Sequence, residues 1–312
     1  MLTRLPLLVA VLLATATVAV RGASQAPSAA PAAATATDKA RPLDEVTVTG
    51  SRASLAARVS KFVEQIAALE NAEGAPVWKV PVCPLVFGLT IEHAAQIEGR
   101  LANIARAARV PLDDDHCYPP NLFIVVTEDP KQLLQAWNNR SPTRMQVFGD
   151  ATDDLFAGAP QSVIDDFIAT PRPVRVWYYT HKQDAWGQPM SLSLSPYEPP
   201  EVHTEASHIL TNNVVYEFFR VFVIADATRL RELTIAQFAD YVSMVGLAKL
   251  EAGARLGDAP TILRVFGESP QTAPAGLTDW DQAFLKSLYT TEQRSKLQRR
   301  QIARAMLREI GH

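Results

Sequence analysis

The chain has 312 residues, 47% of them hydrophobic, with 30 basic and 33 acidic side chains and a formal charge of −3. That near balance offers no broad basic footprint, so nucleic acid is excluded as the expected partner. The length suffices for one sizeable core, and the expected organisation is a signal peptide at 1–26, a disordered linker at 27–53 and a single domain at 54–312.

Met1–Arg4 is positive, Leu5–Leu13 is apolar and Ala14–Ala26 is rich in small residues, the pattern of a secretory signal peptide. No later run approaches the roughly 20 apolar residues that span a bilayer. The expected location is therefore periplasmic or secreted. Residues 27–38 are rich in Ala, Pro, Ser and Thr, a composition that buries too little apolar surface to offset its chain entropy. Leu43–Arg52 (LDEVTVTGSR) resembles the stretch near the mature start of TonB-dependent outer-membrane receptors, which implies a Gram-negative envelope. Export also turns Cys83 and Cys117 toward a disulfide, worth about 3–4 kcal/mol by chain entropy; two buried free thiols are the other reading.

Apolar spacing predicts a helix over Ser54–Asn71 with Ser54 as its N-cap. Val77–Val86 contains two prolines, which demote it to an edge or broken strand. A long Ala-rich helix follows at Ile91–Arg109, capped by Thr90. The acidic Asp113–His116 stretch lacks the alternating ligands of a calcium loop and is expected to be a solvated loop. Asn121–Thr127 is a short continuous apolar run, hence a buried central strand. Helices are expected at Pro130–Trp137 and Gln161–Ile168, and strands at Val174–Thr180 and Val214–Ala225. Thr234–Leu250 has Ile235, Phe238, Ala239, Val242, Val245 and Gly246 at helical spacing and should lie under the sheet. Thr278 is an N-cap for a helix running to Tyr289, with Asp279 and Asp281 at the positive end of its dipole. A basic amphipathic helix, Glu292–Ile310, ends the chain. It is expected to pack on its own domain, with peripheral contact to an anionic membrane as the other reading.

Motifs for chemistry are sparse. No G-x-S-x-G, G-x-G-x-x-G or Walker loop occurs, and no His-x3-His. The long stretch His181–Asn213 carries His181, His203 and His208, and with Val174–Thr180 and the Asp240 helix it is the expected binding cleft. Its candidate residues are Tyr178, Tyr179, His181, His203, His208, Asp240 and Tyr241. For Asp240 the competing expectation is a polar side chain on the exposed face of its helix.

Five blocks, Trp78–Val82, Asn121–Val125, Thr234–Leu250, Ala259–Phe266 and Leu277–Tyr289, are similar in order and spacing to an uncharacterised family of exported bacterial proteins that resembles the zincin metallopeptidases. The resemblance spans about Pro76 to Gly311 and implies an α+β fold: a zincin-like mixed sheet with an edge strand, a packed organising helix and a helical C-terminal part. A working zinc site needs two imidazoles one helical turn apart and a carboxylate to activate water. Here Asp240, Tyr241 and Met244 stand where HExxH would be. The resemblance thus implies a degenerate scaffold without metal or other cofactor. The expected function is non-catalytic, binding a peptide, glycan or protein partner in the cell envelope. The alternative is a metal-dependent hydrolase with a rearranged site using His181, His203, His208 and Asp240.

Overall fold

A computed structural model describes residues 44–70, 74–113, 117–139, 156, 159–183, 215–269, 272–293 and 297–311, with no side-chain detail before residue 53. The described residues all belong to one unit that starts at Asp44. Its elements are α1 (Asp44–Ile66), β1 (Pro84–Phe87), α2 (Ile91–Ala108), β2 (Leu122–Thr127), α3 (Pro130–Asn138), α4 (Gln161–Ala169), β3 (Val174–Gln183), β4 (Val215–Asp226), α5 (Ile235–Leu247), α6 (Asp279–Thr290) and α7 (Gln298–Ile310).

The four strands form one mixed sheet in the order β1-β2-β4-β3, parallel except for β3, which runs antiparallel to β4 at the edge. Alternation along the strands divides the core in two. Leu122, Ile124, Val174, Phe218, Val221 and Val223 face α1, α2, α5, α6 and α7 in the larger cluster. Phe123, Trp177, Tyr179, Phe222 and Ile224 face α3, α4 and Phe156 in the smaller one. The result is a three-layer arrangement with a mixed sheet in the middle.

Local signals placed most elements. Thr90 caps α2 by accepting from the His93 N–H (3.3 Å), and Asp129 caps α3 by accepting from the Gln132 N–H (2.8 Å) ahead of Pro130. Thr234 and Thr278 each close a capping box, with Gln237 and Asp281. Gly88 ends β1 at φ +83°, where a Cβ would lie 1.8 Å from the Val126 carbonyl oxygen, so the β1–α2 turn admits only glycine. The disulfide Cys83–Cys117 is formed, tying the start of β1 to the loop before β2. Asn121 reinforces it: its Oδ1 accepts the Cys83 N–H (2.8 Å) and its Nδ2 donates to the Pro81 carbonyl (2.9 Å).

Several expected boundaries move. α1 starts at Asp44, so Ser54 lies inside the helix rather than capping it, and it stops at Ile66. Extending a helix that already exists adds one hydrogen bond per residue fixed, so Val46, Val48 and Gly50 need no strong propensity of their own. The expected strand Val77–Val86 keeps only Pro84–Phe87, with single bridges at Val77 and Val82, because Pro81 and Pro84 cannot donate to a ladder. α5 ends at Leu247, three residues early. α7 starts at Gln298, six residues later than expected.

The end of α5 is buried and has no glycine cap. Its last carbonyls are instead taken by side chains from three other elements. Tyr178 Oη donates to Val245 O (2.9 Å), Trp78 Nε1 to Gly246 O (2.9 Å) and Tyr289 Oη to Leu247 O (2.6 Å). A helix terminus leaves such carbonyls unpaired, and burial without partners would cost about 1–3 kcal/mol each. Sheet, loop and α6 are thereby fixed to one helix end.

Candidate functional site

Among the described residues, the expected cleft residues are divided between different surroundings. Tyr178 and Tyr179 are neighbours on β3 and point to opposite faces, Tyr178 toward α5 and Tyr179 into the cluster under α3 and α4. His181 lies further along the same strand, where its Nε2 is 3.0 Å from Glu217 Oε1 and its ring rests on Phe219 at 5.2 Å. His203 and His208 lie outside the described residues. Among the described residues of the expected set, Tyr178 and Tyr241 line one cleft together.

Asp240 is not on an exposed face of its helix. It is fully buried and held by a bidentate pair with Arg100 of α2, through Nε to Oδ1 and through a terminal nitrogen to Oδ2 at 2.8 Å. The Leu277 N–H adds a third donor at 2.5 Å. Gly276 is packed so closely that a Cβ there would be 2.6 Å from Asp240 Oδ2. Asp240 belongs to a second cleft, of about 710 Å³, between α2, α6 and the end of α7. With three donors on its two oxygens and full burial, this carboxylate serves as a clasp between α2, α5 and the turn before α6.

The cleft shared by Tyr178 and Tyr241 has a volume of about 660 Å³ and runs along the outer edge of β3. Five consecutive residues, Val174–Tyr178, line it; side chains alternate between faces, so a continuous run means that the cleft straddles the strand's edge. One wall is Val163, Phe167 and Arg172 beside α4. The other is Tyr241, Val245 and the turn Lys249–Ala254 after α5.

Among the described residues, the backbone of that edge has no strand beside it. The Asp226 N–H donates to Pro173 O (2.9 Å), making 173 and 226 a hydrogen-bonded pair. In the register Val174↔Ala225, bonded pairs alternate, so Arg175 and Trp177 turn their backbone groups to β4, whereas Val174, Val176 and Tyr178 turn theirs outward. Among the described residues no strand lies on that side. The opposite edge differs: the Val86 N–H of β1 is already taken by Glu98 of α2 (3.3 Å), whose carboxyl burial pushes up.

Polar side chains around the cleft are engaged within the protein. Glu70 pairs with Lys249 and accepts from Thr180 (3.1 Å). Arg172 pairs with Asp166 (2.6 Å). Arg175 is buried without a carboxylate, donating to the carbonyls of Phe167 (3.0 Å), Arg172 (3.2 Å) and Thr170 (2.9 Å) at the end of α4; burial lowers its pKa. Burial also raises Tyr178 and pushes Tyr241 up to about 12. Among the described residues, no three His, Cys, Asp or Glu side chains stand close enough to hold a metal ion, and no helix is long and apolar enough to cross a membrane.

Sequence reasoning missed Arg100, Arg175, Glu70 and Glu217. Only Arg175 carried a signal, a charged residue inside an aromatic strand. Compared with models of known protein families, with curated proteins and with solved structures, the chain matches none.

Proposed function

We propose that this is an exported protein of a Gram-negative envelope that binds an extended polypeptide segment, without catalysis, in the cleft along β3. The observation that carries the reading is the edge of β3 at the floor of that cleft, which no strand covers among the described residues. A partner strand entering there would find outward N–H and C=O groups on Val174, Val176 and Tyr178, with apolar walls on both sides. Main-chain pairing of this kind favours a peptide over a glycan. The neighbouring charges support binding over chemistry, because each is already engaged within the protein. A zincin-like ancestry fits the antiparallel edge strand and the helix α5, with Asp240 of the substituted motif recruited as a clasp.

The test uses the full chain and replaces Val176 by proline, which removes an outward donor and is tolerated at a strand edge. Partners are captured from an envelope extract, identified by mass spectrometry and re-made as synthetic peptides. Peptide affinity should fall at least tenfold in Val176→Pro and be unchanged in Lys131→Gln on α3. Equal affinity in the two variants would sink the cleft as the binding surface.

One observation favours the hydrolase alternative. His181 is oriented by the buried carboxylate of Glu217, as a general base is oriented by a third group. Stoichiometric zinc in protein purified from the periplasm without chelators would move the reading there.

A further inference from the structure

The outer face of α7 bears three arginines in one line. Arg300, Arg304 and Arg308 recur every fourth residue, so they rise along one face at steps of about 6 Å. All three are exposed. The opposite face of the helix, with Ile302, Ala303 and Met306, is buried against the core. Arg304 therefore points directly away from the protein. Among the described residues none of the three has an ion-pair partner, whereas Arg299, one residue along, turns inward to the Ala67 carbonyl (2.7 Å) and Glu251. Glu309, the acid nearest the line, is bound by Lys286 at 2.6 Å. Leu297, at the start of the helix, is 41% exposed.

We propose that this arginine face docks the protein on an anionic lipid surface through the phosphates of the headgroups. The buried apolar face rules out the mode in which an amphipathic helix inserts its greasy side, because that side is already covered by α1 and α6. What is left is a rigid, purely electrostatic contact, with Leu297 reaching the headgroup layer. The favourable charge pattern stands on a chain that is acidic overall, −3, so a flat anionic surface is attracted by this face and not by the whole molecule. Each arginine brought to such a surface raises the partition about fivefold, so the three together give about a hundredfold.

The experiment is co-sedimentation of the full chain with phosphatidylcholine vesicles, and with vesicles of phosphatidylcholine and phosphatidylglycerol in equal parts. The expected result is binding that needs phosphatidylglycerol, falls about a hundredfold in the triple variant Arg300→Gln, Arg304→Gln, Arg308→Gln, and persists in Lys79→Gln, Lys131→Gln, Arg231→Gln, which removes the same charge elsewhere. Raising salt from about 0.1 M to about 1 M shortens the Debye length from ~10 Å to ~3 Å and should release the protein. All the substituted side chains are exposed, and unchanged thermal unfolding verifies the fold. Equal loss in both triple variants would reduce the effect to net charge and overturn the proposal. So would displacement by inorganic phosphate at constant ionic strength, which would mark an ordinary phosphate site. Tighter binding to a single-stranded oligonucleotide than to the anionic vesicles would assign the face to nucleic acid instead.

Discussion

Arg100 and Asp240 form a bidentate ion pair across 140 residues of sequence, with the aspartate fully buried and the arginine side chain 45% exposed. The pair ties α2 to α5 and, through the Leu277 N–H, to the turn before α6. Breaking it from either side has different consequences. Arg100→Met leaves a buried carboxylate without its counter-charge and should destabilise by about 3 kcal/mol. Asp240→Asn keeps the shape and part of the hydrogen bonding and should cost about 1–2 kcal/mol. Urea unfolding of both variants, with the double variant closing the cycle, measures the coupling. Equal, near-zero effects would refute the clasp. Gly276→Ala should behave like Arg100→Met, because its Cβ would collide with Asp240.

The end of α5 gives a second prediction. Tyr289→Phe removes the hydroxyl that donates to Leu247 O and accepts from the Trp78 N–H (3.3 Å), leaving a buried carbonyl and a buried amide unpaired. A loss of about 1–3 kcal/mol is expected, and hydrogen exchange should quicken in the last turn of α5 before elsewhere. A uniform change across the molecule would mean that the hydroxyl is not a cap.

Alkaline stability follows from the tyrosines. Tyr241 is raised to about 12 by burial, against an ordinary value near 10. The folded state therefore holds this proton more tightly than the unfolded chain does. Its contribution is fully present below about pH 10 and is lost as pH rises through about 12. Tyr178 and Tyr289 are shifted the same way by burial. Denaturant midpoints at about pH 9 and about pH 11.5 should differ strongly in the parent and less in Tyr241→Phe. Identical pH slopes in the two proteins would show that this phenol titrates normally.

The disulfide encloses a sequence separation of 34 residues, and its removal in Cys83→Ala, Cys117→Ala should lower stability by about 3–4 kcal/mol. The Asn121 hydrogen bonds to Cys83 and Pro81 hold the same junction, so Asn121→Ala should cost more in the disulfide-free protein than in the parent. Additive effects on thermal unfolding would separate the two.

Arg175→Lys tests the buried cation of β3. Three carbonyls around the end of α4 match the guanidinium fork, and an ammonium cannot reach all three. The expected loss is about 2–3 kcal/mol, with the peptide cleft opened along α4. Full stability in the lysine variant, read from its melting curve, would exclude that role.

Much of the fold was legible because its signals are local. Thr90, Thr234 and Thr278 cap within three residues of themselves, β2 is a short apolar run bounded by prolines, and the two cysteines were expected to pair and do. The site was less legible. The apolar pattern of α5 left Asp240 looking like an outward polar residue, since nothing within a helical turn announces a partner 140 residues away. The separation of Tyr178 from Tyr179 was implicit in the strand period, but which face met the cleft depended on what packed there.

The sequence by itself determined the type and order of most elements and the central place of β2, because capping and periodicity act over a few residues. Only the tertiary structure decided the sheet order that puts β3 at the edge, the burial of Asp240 against Arg100, the capping of α5 by three distant aromatic side chains and the outward line of arginines on α7. Those depend on which distant surfaces meet, and that is settled by burying apolar area across the whole chain rather than by any one segment.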